Sequence, residues 1–313
     1  MTKLVIQIPC FNEEETLLTT LNALPKSISG IDSIMVLVIN DGSTDSSAKI
    51  ASDWGAELLD IKPNKGLANA FRSGLQKALE MGADIIVNTD ADNQYNAADI
   101  EKLIQPVIKG EADIVVGARD VLRIKEFSPV KKALQKIGSA VLRLLSSTGV
   151  EDAPSGFRAF SRDAAIKLNV FDNYTYTMET LIQSASKGLK VASVPVGVNE
   201  KLRESRLVSN IFLYVLKSMK TMIRMFIVYR PFRFFLALAL LSGLLGIILV
   251  LRFLHFYMTG FGNGHIQSLI FAAVFLITSV QLVIIGIIGD LLSINRKLAE
   301  DIQIRLKKLE LKK

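Results

Sequence analysis

The chain has 313 residues, enough for roughly two folded units, and carries a net charge of +7 with 37 Lys and Arg against 30 Asp and Glu. Its single cysteine, Cys10, excludes an intrachain disulfide. Its two histidines, His255 and His265, both fall between apolar segments and argue against Ser-His-Asp or Cys-His catalysis elsewhere in the chain.

Half of the residues are hydrophobic, and most of the excess lies after Arg230, so a soluble part is expected first and a membrane part second. Positive charge thickens at Lys217, Lys220, Arg224, Arg230 and Arg233, beside the apolar segments. That placement favours anionic lipid headgroups, and no nucleic-acid partner is expected.

Residues 4–9 form a short β-rich run, too short for the apolar core of a signal peptide. Residues 13–24 have helical character. Residues 34–39 are almost continuously apolar, as in a strand buried on both faces. A helix is predicted over 43–54 with Gly55 at its end, then a strand over 56–61. A helix over 67–81, a strand over 85–87 running into Asp90, a helix over 98–108 and a strand over 114–116 follow. This regular alternation predicts an α/β fold with a mostly parallel, Rossmann-like sheet and helices on both faces. Ligands would then bind at the carboxyl ends of the strands.

Residues 130–149 set Lys131, Lys132, Lys136 and Arg143 against Leu134, Ile137, Val141, Leu142 and Leu145. Such a helix packs on the sheet or lies on a membrane surface. Residues 234–251 and 266–288 are apolar runs, each long enough to cross a bilayer core of about 30 Å. The link between them holds one Arg and no Lys, whereas the outer flanks are rich in both. The positive-inside rule then puts both flanks and both termini in the cytoplasm, and the link outside, in a multi-pass membrane protein. Residues 290–313 alternate apolar and basic positions; an oligomerising helix and a basic surface helix both fit.

Three short stretches sit where strands end and helices follow: Ile8-Pro9-Cys10-Phe11-Asn12-Glu13-Glu14, Ile39-Asn40-Asp41-Gly42-Ser43-Thr44-Asp45 and Asn88-Thr89-Asp90-Ala91-Asp92-Asn93-Gln94. Carboxylates and amides are thus predicted on one rim of the sheet. Two carboxylates two residues apart repel unless a cation lies between them. Oxygen ligands suit Mg²⁺ or Mn²⁺, ions that share their coordination with substrate phosphates.

Together with Asn64-Lys65-Gly66, Gly117-Ala118-Arg119 and Ser155-Gly156-Phe157-Arg158, these stretches resemble the family 2 glycosyltransferases of the GT-A fold. The likeness covers residues 4–206 and is to the polyprenyl-phosphate sugar synthases, of which dolichol-phosphate mannose synthase is one. It implies transfer of a hexose-type sugar from a UDP- or GDP-sugar to a dolichyl or undecaprenyl phosphate, with inversion, at the cytoplasmic membrane face. It also implies nucleotide binding by Pro9, Asn12, Glu13, Asp41, Asp90 and Ala91, and metal binding by Asp92 and Gln94. Asp90, Asp92 and Arg119 would serve catalysis, and Arg119, Lys201, Arg203 and Arg206 the acceptor phosphate. The family's Arg-x-x-Gly-x-Ser-Lys segment is altered here to Glu200-Lys201-Leu202-Arg203-Glu204-Ser205-Arg206, which keeps positive charge without the Gly.

The expected layout is a catalytic domain over 1–206, a basic juxtamembrane segment over 207–233, two membrane helices over 234–289 and a C-terminal helix over 290–313. A processive polysaccharide synthase would need Gln-x-x-Arg-Trp, and the only tryptophan, Trp54, comes too early. A non-catalytic nucleotide-binding membrane scaffold is the alternative outside enzymes.

Overall fold

The computed structural model describes residues 1–120, 149–150, 152–170, 176–200, 220, 223–224, 226–260 and 265–311. They divide into two compact units, one of Met1–Met219 with Ile304–Lys313 and one of Lys220–Gln303.

The first unit is a sheet covered on both faces. Its strands are β1 (Lys3–Cys10), β2 (Ser33–Asn40), β3 (Glu57–Asp60), β4 (Ile85–Asn88), β5 (Ile114–Arg119), β6 (Arg158–Ser161) and β7 (Val191–Val196). Its helices are α1 (Leu17–Ala23), α2 (Ser47–Trp54), α3 (Leu67–Glu80), α4 (Ile100–Ile108), α5 (Arg162–Lys167) and α6 (Thr177–Ser186). The spatial order is β3-β2-β1-β4-β6-β5-β7. β3, β2, β1 and β4 run parallel, as the alternation predicts, while β6 enters antiparallel between β4 and β5.

Burial explains why β1 reads as one apolar run. Leu4, Ile6 and Ile8 face a cluster that includes Leu17, Leu21, Leu103 and Phe157. Val5, one residue out of phase, joins Leu37, Phe71, Leu75 and Phe160 on the opposite face. Strand side chains alternate between faces, so a strand between two helical layers is apolar on both, and in β1 Gln7 is the one buried polar exception.

Two helices start later than their periodicity suggests, for one reason. The chain before α1 is spent on loop contacts: the Glu13 and Glu14 amides donate to Ser47 Oγ and Asp45 Oδ2. Before α2, the Ser43 and Thr44 amides donate to Asn40 Oδ1 and Asn12 Oδ1. Residues 13–16 and 43–46 therefore belong to the rim loops rather than to helices. α2 ends as expected, on Gly55 with φ +92°, a left-handed conformation that glycine adopts without cost.

The second unit holds α7 (Pro231–Met258) and most of α8 (Ile266–Glu310). Both are long and apolar enough to cross a membrane. Buried core helices of a soluble protein would hide their large apolar side chains, but Leu240 is 66% exposed and Phe271 60%. Two serines tie the pair together: Ser242 Oγ donates to Phe275 O and Ser279 Oγ to Ala239 O, each at 2.8 Å. α8 is continuous for 45 residues, so the second apolar run and the basic C-terminal stretch form one helix. Its end belongs to the first unit, where Lys307 Nζ donates to Asn169 Oδ1 at 2.9 Å.

Candidate active site

Because β1 pairs in parallel with both β2 and β4, the carboxyl ends of all three strands come to one rim. Cys10 lies beside Asn40, and Gln7 beside Asn88. The three polar stretches follow those ends, and the structure brings Asn12, Glu13, Asp41, Asp90 and Asp92 to the same edge.

The first two loops hold each other. Asn12 has φ +55°, a conformation tolerated by Asn better than by most side chains. Its side-chain oxygen accepts the Thr44 amide at 2.8 Å, and its own amide donates to Ser43 Oγ at 3.0 Å. Asp41 is buried, and its two carboxylate oxygens accept the amides of Lys65 and Gly66 at 2.9 and 2.8 Å. Gly42, at φ +75°, leaves no room for a side chain, since a Cβ would approach the Asn64 amide nitrogen to 2.8 Å. Asp41 thus fastens the Asn64-Lys65-Gly66 turn to the rim.

The third loop is pinned from below and beside. Ala91 O accepts from Thr16 Oγ1 and Thr20 Oγ1, each at 2.9 Å, while Thr16 Oγ1 also contacts Glu13 Oε2 at 3.1 Å. Asn93 takes φ +55°, so the chain turns back: Gln94 N and Nε2 donate to the two oxygens of Asp92 at 3.2 and 2.8 Å. Asn199, after β7, donates its side-chain amide to Asn93 O and Tyr95 O at 3.0 and 3.1 Å.

Burial, and then the neighbouring Asp92 carboxylate, push Asp90 up to about 7 against the pull of Arg119. A cation between these carboxylates would relieve that repulsion. Their oxygen donors fit a hard divalent ion. Among the described residues no three His, Cys, Asp or Glu side chains gather around such a point. Asp92 and Gln94 bring oxygen atoms of the kind a hard divalent ion takes as ligands.

Arg119 ends β5 beside this loop. Its Nε and Nη2 donate to Asp152 Oδ2 and Oδ1 at 2.7 and 3.2 Å, a paired geometry, and its guanidinium lies 5.7 Å from the Tyr95 ring centre. Asp152 is 1% exposed and Arg119 14%. The motifs do not include Asp152, Tyr95, Asn199 or Tyr176, whereas Asn88 opens the third polar stretch. Asn88 is a polar residue closing an apolar strand, in register with Gln7, the polar residue within β1. Their side chains meet inside the sheet, Gln7 Nε2 donating to Asn88 Oδ1 at 2.9 Å. Lys201, Arg203 and Arg206 lie outside the described residues, as does nearly all of the 130–149 stretch.

This rim matches a known family in sequence as well. The profile described as glycosyl transferase family 2 matches residues 5–168. The chain belongs to that family. It is 34% identical to the UDP-N-acetylglucosamine--dolichyl-phosphate N-acetylglucosaminyltransferase of Methanococcus voltae, covering 60% of this chain and 82% of that one. The undecaprenyl-phosphate mannosyltransferase of Micrococcus luteus is 28% identical, over 64% of this chain and 85% of its own. Among solved structures, glucosyl-3-phosphoglycerate synthase from Mycobacterium tuberculosis, with Mn²⁺, UDP-glucose and phosphoglyceric acid, superposes with a TM-score of 0.56 at 21% identity. The superposition covers 71% of this chain and 79% of that one. The family assignment makes the chain a glycosyltransferase, and the superposition gives it the GT-A fold.

Proposed function

We propose that this family 2 glycosyltransferase moves a hexose-type sugar from a UDP- or GDP-sugar to a polyprenyl phosphate, dolichyl or undecaprenyl, giving a polyprenyl phosphosugar. The observation that carries the reading is the rim itself, where Asp90, Asp92 and Gln94 lie beside Arg119 in a chain that continues into two apolar helices. Relatives named for dolichyl-phosphate and undecaprenyl-phosphate transfer support the acceptor class. The helices keep the enzyme beside a substrate that stays in the bilayer.

In this reading Pro9, Asn12, Glu13, Asp41 and Ala91 shape the nucleotide pocket, and Asp90 faces nucleotide and sugar. Asp92 and Gln94 hold Mg²⁺ or Mn²⁺, which when bound supplies Lewis-acid stabilisation of the diphosphate charge. An ionised oxygen of the lipid phosphate attacks the anomeric carbon. The bond from that carbon to the donor diphosphate breaks, the nucleoside diphosphate leaves, and the configuration inverts. A phosphate oxygen is already anionic near neutral pH, so the step needs no strong base, in keeping with a soluble unit without histidine. Arg119, with Lys201, Arg203 and Arg206, offsets the repulsion between the two phosphate groups. The catalytic domain over 1–206 and both termini face the cytoplasm.

The donor is tested by binding. A panel of UDP- and GDP-sugars is titrated into the purified chain with and without Mn²⁺ or Mg²⁺, following thermal unfolding. One nucleotide class is expected to raise the midpoint, and only with the ion. Equal shifts with and without it would contradict the assignment of Asp92 and Gln94.

A further inference from the structure

Gly156 occupies a tight place beside the rim. It precedes β6 by two residues, and its backbone is held from both ends. Its amide donates to Tyr95 Oη at 3.0 Å, and its carbonyl accepts Asn88 Nδ2 at 2.9 Å and Tyr176 Oη at 3.3 Å. Asn88 Nδ2 also donates to Tyr176 Oη at 2.8 Å. The clamping side chains are themselves fixed. Asn88 is fully buried, Tyr176 stacks on Phe71 with ring centres 3.8 Å apart, and Tyr95 stacks on Phe157 at 5.0 Å.

Nearby, Arg158 anchors the same loop from below. Fully buried, it donates to Ala153 O, Ser155 O, Thr177 O and Thr180 Oγ1. The segment that carries Gly156 is thus tied to β4, to α6 and to the loop that follows Asp92, and has little freedom to retreat.

What the clamp presses against is Asp90. A Cβ on Gly156 would lie 3.1 and 3.3 Å from the two Asp90 carboxylate oxygens and 2.8 Å from Tyr176 Oη. Gly156 does not have a left-handed φ, so backbone conformation does not require glycine there. The space a side chain would need is taken first by Tyr176 Oη and then by the two oxygens of the Asp90 carboxylate.

We propose that Gly156 is a positioning residue: its bare Cα, held by Asn88, Tyr95 and Tyr176, is the wall that sets where the Asp90 carboxylate lies. This rests on Asp90 facing the donor, as proposed above. A methyl group there must push the carboxylate by a few tenths of an ångström, because the clamped loop cannot yield. Misplacement of a site group by about 1 Å can cost about 10²-fold, so a loss of about tenfold is expected from the smaller shift.

The test is a cycle of variants read by binding, using UDP and GDP with Mn²⁺ as probes on the purified full chain. Gly156→Ala and Asp90→Ala are each expected to weaken binding of whichever nucleotide the parent binds, Gly156→Ala by about tenfold. Together they should bind little more weakly than Asp90→Ala alone, since the added methyl then meets Tyr176 Oη but no carboxylate. A merely structural Gly156 would add its full loss in the Asp90→Ala background, and that result overturns the proposal. So does parental binding by Gly156→Ala. If Asp90→Ala itself binds as the parent does, the donor-site reading fails first and takes this inference with it. Should Gly156→Ala not fold, the cycle is run with Gly156→Ala in the Tyr176→Phe chain, which lacks the 2.8 Å neighbour while Asn88 and Tyr95 still hold Gly156.

Discussion

At the scale of single residues, Arg119 is the side chain whose surroundings say most about its use. Its fork is shaped by Asp152, deeply buried, while enough of it stays exposed to meet a ligand. A guanidinium so held is oriented in advance, and in the proposed role it would lose little freedom on meeting phosphate oxygens. Arg119→Ala is expected to slow sugar transfer by about 10² or more while weakening nucleotide binding less. Arg119→Lys should recover only part of the loss, because Lys keeps the charge without the paired geometry. Initial rates against lipid phosphate, set beside nucleotide affinity without lipid, measure both. Parental rates in Arg119→Ala would remove Arg119 from the acceptor site. The carboxylates of this site were legible in sequence because each closes an apolar strand. Asp152, Tyr176 and Asn199 were not, because they come from loops and a helix cap remote in sequence, and Tyr95, next to Gln94, is an aromatic with no motif of its own. Asp41 shows a different limit: its motif was plain, yet the amides that its carboxylate holds are 24 and 25 residues away.

At the scale of elements, hydrophobic periodicity located the first five strands and the helices between them. It misjudged where α1 and α2 begin, since side chain to backbone bonds in the rim loops compete with the first helical turn. The antiparallel entry of β6 was not foreseen. Its four residues, Arg158–Ser161, include a buried arginine and lack the apolar run that marks β4 or β5. Helix-to-sheet packing offers a test away from the site chemistry. α3 approaches β1 and β2 through Gly74, where a Cβ would lie 2.6 Å from Gln7 Oε1 and 2.8 Å from Ile39 Cδ1. Both neighbours are fully buried. Gly74→Ala should therefore destabilise the fold by about 1–3 kcal/mol, the usual cost of overpacking a close contact. Thermal or denaturant unfolding of the purified chain would register it, and an unchanged midpoint would contradict this packing. In the second unit, the apolar stretches were plain in sequence. The joining of residues 266–310 in one helix was not, because the change from apolar to basic composition looks like a boundary although the helical hydrogen bonds run through it.

At the scale of the whole molecule, the proposed function joins a family 2 glycosyltransferase unit to two helices long and apolar enough to cross a membrane. The distribution of Lys and Arg predicts that both termini are cytoplasmic and that the 252–265 link is exterior. Single cysteines in a Cys10→Ser background report this with an impermeant thiol reagent. Asn263→Cys should label in intact cells, and labelling only after the membrane is opened would reverse the orientation. The central claim is tested most directly by the lipid product. The purified full chain is incubated with radiolabelled UDP- and GDP-sugars, undecaprenyl or dolichyl phosphate and Mn²⁺, and the label passing into organic extract is counted. The account predicts a labelled polyprenyl phosphosugar from one nucleotide class, abolished by EDTA and absent with Asp92→Asn although that variant remains folded. Donor consumption with no label in the lipid, or equal lipid product in EDTA, would contradict it.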